Sequence, residues 1–360
     1  MFSPNYTSNN SSYIAILICS RECGIRVKWI ILWTSRSSGA NLISTSLILK
    51  KIRGSRHAVR AFNRSVVLSK ASGSAIMSSE LDIRNYFEFA KELILKAGEI
   101  FKCGFEGEKI VETKGHEWDL VTDYDKKIED ILVKSLKEKF PDHEFIGEET
   151  TASVKNAPVL TDKPTWLIDP IDGTINYINA NPNTCISVAL AVCKKIVVGI
   201  IYNPITSELY TAIKGHGAFL NDKPIKTSHN TELRKSLIEL ELFSLRIPSK
   251  NRDIRWGRFE ALLNASQGVR FLGSAALALA YVARGAIDCF QMDHLQPWDV
   301  AAGVLIICEA GGTVIDTKDE EYNVMKPKTI AAANETLAVE IKQLITDTDL
   351  RIMRKRLTRT

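Results

Sequence analysis

The chain predicts a layered α+β fold. Three observations carry this: amphipathic helices stand near both ends of the body, β-rich runs cluster between about 184 and 220, and no strand–helix unit repeats. With 360 residues, 45% of them hydrophobic and 25% charged, the chain has the composition of a globular protein and the length to bury a sizeable core without disulfide staples.

Taken in order, the elements justify that architecture. Phe87, Ala90, Ile94, Ala97 and Phe101 recur at spacings of three and four, which predicts a helix over about 82–103. A second helix follows Thr122, an N-cap hydroxyl with Asp125 at the capping-box position, and its apolar stripe is Ile128, Ile131, Leu132 and Leu136. Short strands are expected at Glu144–Gly147 and Thr165–Ile168. The runs CISVALAV, IVVGIIY and ELYTAI, with polar or glycine-bearing turns between them, predict an antiparallel meander. Helices are expected near Ser274–Arg284, over Val300–Ala310 before Gly311-Gly312, and from about Glu335 to Thr346. The remaining tail, 349–360, is basic and reads as a solvated end.

Charge divides the chain. Residues 1–76 carry eleven Lys/Arg against one acid, Glu22, whereas the remainder carries 36 Lys/Arg against 41 Asp/Glu. Residues 1–77 therefore read as a Ser- and Arg-rich leader, poorly ordered and dispensable for chemistry. It is either a mitochondrial-type transit peptide or an extension upstream of a start at Met77. The acidic body, 78–348, offers no basic patch for nucleic acid. No run of about 18 apolar residues predicts a membrane span. Seven cysteines without a CxxC pair point to a reduced compartment, with the cytoplasm as the expected location and the mitochondrion following if the leader is a transit peptide. Cys185, Cys193, Cys289 and Cys308 lie in apolar runs and read as core thiols.

Familiar catalytic strings are absent: there is no GxxxxGK[ST], strand-linked GxGxxG, HExxH or GxSxG, and the six histidines show no metal-ligand spacing. Carboxylates at strand ends stand out instead. In WLIDPIDGTIN (166–176), Pro170 and Gly173 shape a tight turn from which Asp169 and Asp172 emerge close together. Two adjacent carboxylates repel unless a cation lies between them, and oxygen ligands without His or Cys select a hard ion such as Mg2+. The amides of Gly173 and Thr174, at a helix start, offer an anion site beside it. Read singly, DPxDG is a turn, Glu148-Glu149 a solvated loop and Asp299 an N-cap. Together they describe a cation site touching a phosphate site.

The strings FIGEE (145–149), WLIDPIDGTIN (166–176) and PWDVAAG (297–303) resemble those of the inositol monophosphatase family, and the resemblance spans about residues 80–345. It implies a five-layer αβαβα sandwich of the inositol monophosphatase/fructose bisphosphatase type and a lithium-sensitive homodimer. It also implies hydrolysis of a phosphorylated sugar or polyol, with myo-inositol 1-phosphate foremost. Carried over residue by residue, Glu148, Asp169, the carbonyl of Ile171, Asp172 and Asp299 would bind two or three Mg2+ per subunit. Thr174 with Asp125 would orient the attacking water, and Glu149 would support it. Lys114 and Asp119, in and before DLVTDYD (119–125), would flank that water. The amides of Gly173 and Thr174 would hold phosphate, and Gly273, Ser274 and Ala275 of LGSAALALA (272–280) would face the substrate. Trp166 and Trp298 are expected to wall the site.

Two departures bear on the substrate. Gln291 stands where members acting on inositol phosphates usually carry Glu, so Asp293 or His294 is a candidate replacement for that acid. Ile175 stands where a second Thr is common, which reads as altered leaving-group recognition. Alternatives at this level are a relative acting on adenosine 3′,5′-bisphosphate or another sugar phosphate, and a catalytically silent homologue serving as a scaffold.

Overall fold

The computed structural model describes residues 13–15, 31–36, 43–48, 71–114, 120–152, 157–241, 245, 249–318 and 321–358, with side chains from Asp82 onward. Most of the leader, and Asp119, lie outside the described residues. The chain divides into two compact units at Leu68/Ser69. In the first, strands β1 (Tyr13–Ala15), β2 (Ile31–Arg36) and β3 (Ile43–Ile48) pair antiparallel in sequence order.

Alternation along the strands sets the layering of the second unit. Its larger sheet comprises β6 (Glu144–Gly147), β7 (Thr165–Asp172), β8 (Cys185–Val192), β9 (Lys195–Asn203), β10 (Glu208–Ile213), β11 (Ala218–Leu220) and β12 (Lys223–Ile225). They lie side by side in that order, with β6 parallel to β7 and each later pair antiparallel. Trp166, Ile168, Val188 and Ile200 face one side and pack with Ile94, Phe101, Ile128 and Leu132. Those partners belong to helices α1 (Ala71–Glu106) and α2 (Asp123–Lys139). Their neighbours Leu167, Ala189 and Ile201 face the other side and join Leu277, Leu279, Ala302 and Ile306. The period of two along each strand thus feeds two cores.

A second sheet lies beyond that inner helix layer. It comprises β13 (Leu237–Leu240), β14 (Gly268–Arg270), β15 (Cys289–Asp293), β16 (Thr313–Asp316) and β17 (Lys328–Ala332), in the order β14-β13-β15-β17-β16. Phe290 and Ala331 pack towards the inner helices, while Cys289, Ile330 and Ala332 pack outward with Leu262, Leu337, Ile341 and Ile345. Helices α5 (Arg252–Ala265) and α8 (Glu335–Leu357) form that outer layer. The inner layer is α6 (Ala275–Ala283) and α7 (Pro297–Glu309), and the result is the αβαβα sandwich. A separate β4–β5 pair (Val111–Thr113, Leu120–Thr122) leads into α2.

The capping box predicted at Thr122 is present. Thr122 Oγ1 accepts from the amide of Tyr124 at 3.2 Å, and Asp125 Oδ2 accepts from the amide of Thr122 at 2.8 Å. Three expectations are corrected. Helix α8 does not stop near Thr346 but continues to Leu357, where Arg356 pairs with Asp253 and Asp349 with Arg258, so residues 349–357 are ordered helix rather than a frayed tail. Cys193 and Cys308 are exposed; Cys185 and Cys289 alone of the four are buried. Trp166 packs under α2, donating from Nε1 to His143 Nδ1 at 3.0 Å and stacking on Phe140, so it belongs to the outer core and not to a site wall.

Candidate active site

Glu148, Asp169, Asp172 and Asp299 reach one end of the larger sheet by different local devices. Gly147 of β6 lies opposite Ile168 of β7 in parallel register, so Glu148, the first residue of helix α3 (Glu148–Ala152), arrives next to Asp169. Three residues apart on a regular strand, Asp169 and Asp172 would face opposite sides. The β7–β8 register shifts between them, and that irregularity re-aims the strand end. Asp169 lies across from Ser187, whose hydroxyl donates to the carbonyl of Trp298 at 3.3 Å and so brings the start of α7, with Asp299 at its third position, over β7.

The electrostatics register this convergence. Burial raises the Asp169 carboxyl far above its ordinary range, and the charges of Glu148, Asp172 and Asp299 add to the rise. Asp299 is raised in the same way, by burial and then by Asp172 and Glu148. Burial also lifts Asp172, held at about 6 because Ser274 and the Ala276 amide pull it down. Asp125 is pushed up to about 6 and Glu149 to about 7, in each case chiefly by burial. Lys114 answers part of this negative charge: its Nζ lies 2.8 Å from Glu148 and 2.5 Å from Glu149. Burial lowers the pKa of this lysine, but the two carboxylates outweigh that effect and raise it.

The residues around the acids are held tightly. Asp172 Oδ2 accepts from the Ser274 hydroxyl and, at 2.8 Å, from the amide of Ala276; these lie at the start of α6 beside Ala275. The amide of Ile171 donates to Asp169 at 3.1 Å, and its carbonyl accepts from Thr174 Oγ1 at 3.2 Å. The same hydroxyl reaches Asp125 Oδ1 at 3.4 Å. Gly173 opens helix α4 (Thr174–Ile178) with φ +84°, and a Cβ there would meet the carbonyls of Gly273 and Asn183 at 2.9 and 3.0 Å, so only glycine fits. Ile175 is exposed at this rim.

Several positioning groups were not singled out from the sequence. Glu129 of α2 accepts from the amides of Glu149 and Thr150 at 2.8 and 2.7 Å, fixing the first turn of α3, and a side chain at Gly147 would strike it. Its place one turn after Asp125 was the available signal. Asn176 Nδ2 donates to the carbonyls of Asn183 and Leu272, both at 2.7 Å. Glu241 accepts from the amide of Gly273 at 2.5 Å and Glu239 from that of Leu272 at 3.3 Å, tying this loop to the second sheet. Gln291 is not among the clustered acids: it lies on β15 and lines an adjoining cleft with Glu241, Arg258, Asp293 and His294. Asp293, a candidate replacement for the missing acid, lines the same cleft with one carboxylate oxygen engaged by Arg258 at 2.7 Å.

As they stand, no three His, Cys, Asp or Glu side chains among the described residues are closed around a common point as a metal cage. The donor set nevertheless fits a hard cation. It is all oxygen, Asp169 and Asp172 are buried, and the pKa values of Asp169 and Asp299 are raised by burial and by neighbouring carboxylates, a repulsion that a divalent ion would remove.

The class of protein follows from its relatives: the family that this chain matches is one of hydrolases, phosphatases. The profile of the inositol monophosphatase family matches residues 82–348. Inositol monophosphatase 3 of Solanum lycopersicum is 44% identical over 262 residues, covering 72% of this chain and 96% of that protein. Among solved structures, an IMPase of Thermotoga maritima superposes with a TM-score of 0.65 at 29% identity, covering 74% of this chain and 99% of its own. Inositol monophosphate-bound SaIMPase-II superposes at 0.63 and 28% identity, covering 76% and 100%. The chain belongs to the inositol monophosphatase family. No helix among the described residues is long and apolar enough to cross a membrane.

Proposed function

We propose that residues 78–348 hydrolyse a sugar or polyol phosphate monoester, myo-inositol 1-phosphate first among them, with Mg2+ as cofactor. The observation that carries this is the gathering of Asp169, Asp172 and Asp299, whose pKa values burial and neighbouring carboxylates raise, at the end of β7 beside a glycine-opened helix start. The substrate choice is supported by the inositol monophosphate bound to SaIMPase-II. Glu148, Asp169, the Ile171 carbonyl, Asp172 and Asp299 would hold the metal. Mg2+ bound there would neutralise the phosphate dianion and acidify water, the main barrier to attack on such an ester.

The chain's own groups account for the rest. Thr174 Oγ1, which contacts the Ile171 carbonyl and Asp125, would orient a water and pass its proton to Asp125. Lys114 keeps Glu149 in position beside it. The amides of Gly173 and Thr174 receive the phosphate oxygens. Water attacks phosphorus in line, the ester P–O bond breaks, and the leaving alkoxide takes a proton from solvent water, while Asp125 returns the attacking water's proton to solvent. Gly273, Ser274 and Ala275 border the ester, and the leaving group extends towards Gln291. The protein would act as a cytoplasmic homodimer, or as a mitochondrial one if residues 1–77 direct import.

A phosphate-release panel tests this. Release from myo-inositol 1-phosphate should require Mg2+ and stop with EDTA. Faster release from adenosine 3′,5′-bisphosphate would reassign the substrate, and no release from any ester would leave a silent scaffold.

A further inference from the structure

The cleft beside the acid cluster contains a chain of polar contacts that the phosphate chemistry does not use. Gln291 Nε2 donates to Asp293 Oδ1 at 3.3 Å. Asp293 Oδ2 accepts from Arg258 Nη1 at 2.7 Å. Arg258 in turn grips Asp349 through two bonds, from Nε at 2.7 Å and Nη2 at 2.5 Å. The three charged side chains are mostly buried, at 12%, 21% and 19% exposure. They come from α5, the end of β15 and α8, so the arrangement is fixed by three elements of the second sheet's outer face.

The chemistry of this chain allows one arrangement. An ionised Asp accepts hydrogen bonds and donates none, and a guanidinium only donates. Arg258, held by a bidentate pair to Asp349, donates to Asp293 Oδ2 and fixes that carboxylate in place. The group that Gln291 turns to Asp293 must therefore be its NH2. Its Oε1 accepts no bond from the described residues, and the side chain lines the cleft that Glu241 joins to the Gly273 loop.

We propose that Asp293, Arg258 and Asp349 are positioning residues that lock the amide of Gln291 with its oxygen towards the cleft, so that this chain selects leaving groups carrying a hydroxyl donor there. The inference rests on the phosphatase reading above. It explains how a neutral amide can serve where an acid is usual: the neighbouring carboxylate makes the amide present one face, that of an acceptor.

An exchange of amide and carboxylate tests it. Asp293→Asn places a donor opposite Gln291 and lets the amide turn, and Gln291→Glu sets two carboxylates against each other. Each change alone should raise KM for myo-inositol 1-phosphate about tenfold with little change in kcat, the worth of one oriented hydrogen bond. The double variant restores a donor–acceptor pair with an oxygen left for the cleft, and its KM should return towards the parental value. Asp349→Asn should raise KM for the polyol phosphate while leaving turnover of p-nitrophenyl phosphate, which has no hydroxyl, unchanged.

KM effects that simply add in the double variant, or single variants that match the parent, would overturn the orientation mechanism. So would an Asp349→Asn loss shared equally by both substrates. A parental protein that hydrolyses p-nitrophenyl phosphate but no polyol phosphate refutes both the hydroxyl selection and the substrate assignment. One that hydrolyses neither ester refutes the phosphatase reading, and the inference falls with it.

Discussion

The two sheets end in opposite electrostatic conditions. At the end of β7, Glu148, Asp169, Asp172 and Asp299 crowd together with Lys114 in contact with Glu148 alone of the four, and the pKa values of the three aspartates are raised. At the end of β15, Asp293 and Asp349 share Arg258, and every contact pairs a donor with an acceptor. The first region holds repulsion that a cation can relieve; the second is internally matched and suited to hold a shape. Buried charge therefore has two uses in one domain, and the balance of partners distinguishes them.

Removing a charge should have opposite consequences at the two ends. Asp172→Asn takes one carboxylate from the crowded end while keeping an oxygen for Ser274 or the Ala276 amide. Turnover should fall a hundredfold or more, about 3 kcal/mol of barrier. The melting temperature of the metal-free variant should be no lower than the parent's. Near-parental turnover at saturating Mg2+, measured by phosphate release, would refute the metal assignment.

At the matched end, Arg258→Met leaves Asp293 and Asp349 facing each other without a cation. Urea unfolding should show a loss of about 2 kcal/mol, the range for hydrogen bonds to charged groups. Unchanged stability would show that the second region is no more matched than the first.

The smallest effect concerns the far side of β7, where repulsion plays no part. His143 has a pKa below its ordinary value, chiefly through burial, with Asp142 opposing. The folded state thus favours the neutral ring, which accepts from the Trp166 indole. Its stabilisation is present above the ordinary histidine range and is lost as pH falls through the lowered pKa. His143→Gln keeps an acceptor without titrating, so its melting temperature should vary slightly less between pH 7 and pH 5 than the parent's. An identical pH slope would remove His143 from the account.

The larger sheet and its helices were legible because their signals are local. The stripe from Phe87 to Phe101, the Thr122–Asp125 box and the long runs of β8 and β9 each declare one element. The second sheet was not legible. Its strands are three to five residues long, and β13 runs parallel to neighbours reached through helices, so no hairpin or long alternation marks it. The acids of the site were readable as strand-end and helix-start motifs. Glu129, Glu239 and Glu241 were not, because their partners lie 20 or more residues away in sequence. Trp166 was misread although its parity contained the answer: three residues before Asp169 on β7, it must face the opposite layer.

One consequence follows from the placement of Gln291 on a different sheet from the acid cluster. On the proposed reading, phosphorus–oxygen cleavage and leaving-group discrimination would occupy separate structural compartments, linked where Glu239 and Glu241 accept from the Leu272 and Gly273 amides. Substitutions on α5, β15 or α8 would then diversify the preferred alcohol across descendants of this scaffold while the proposed hydrolytic apparatus is inherited intact.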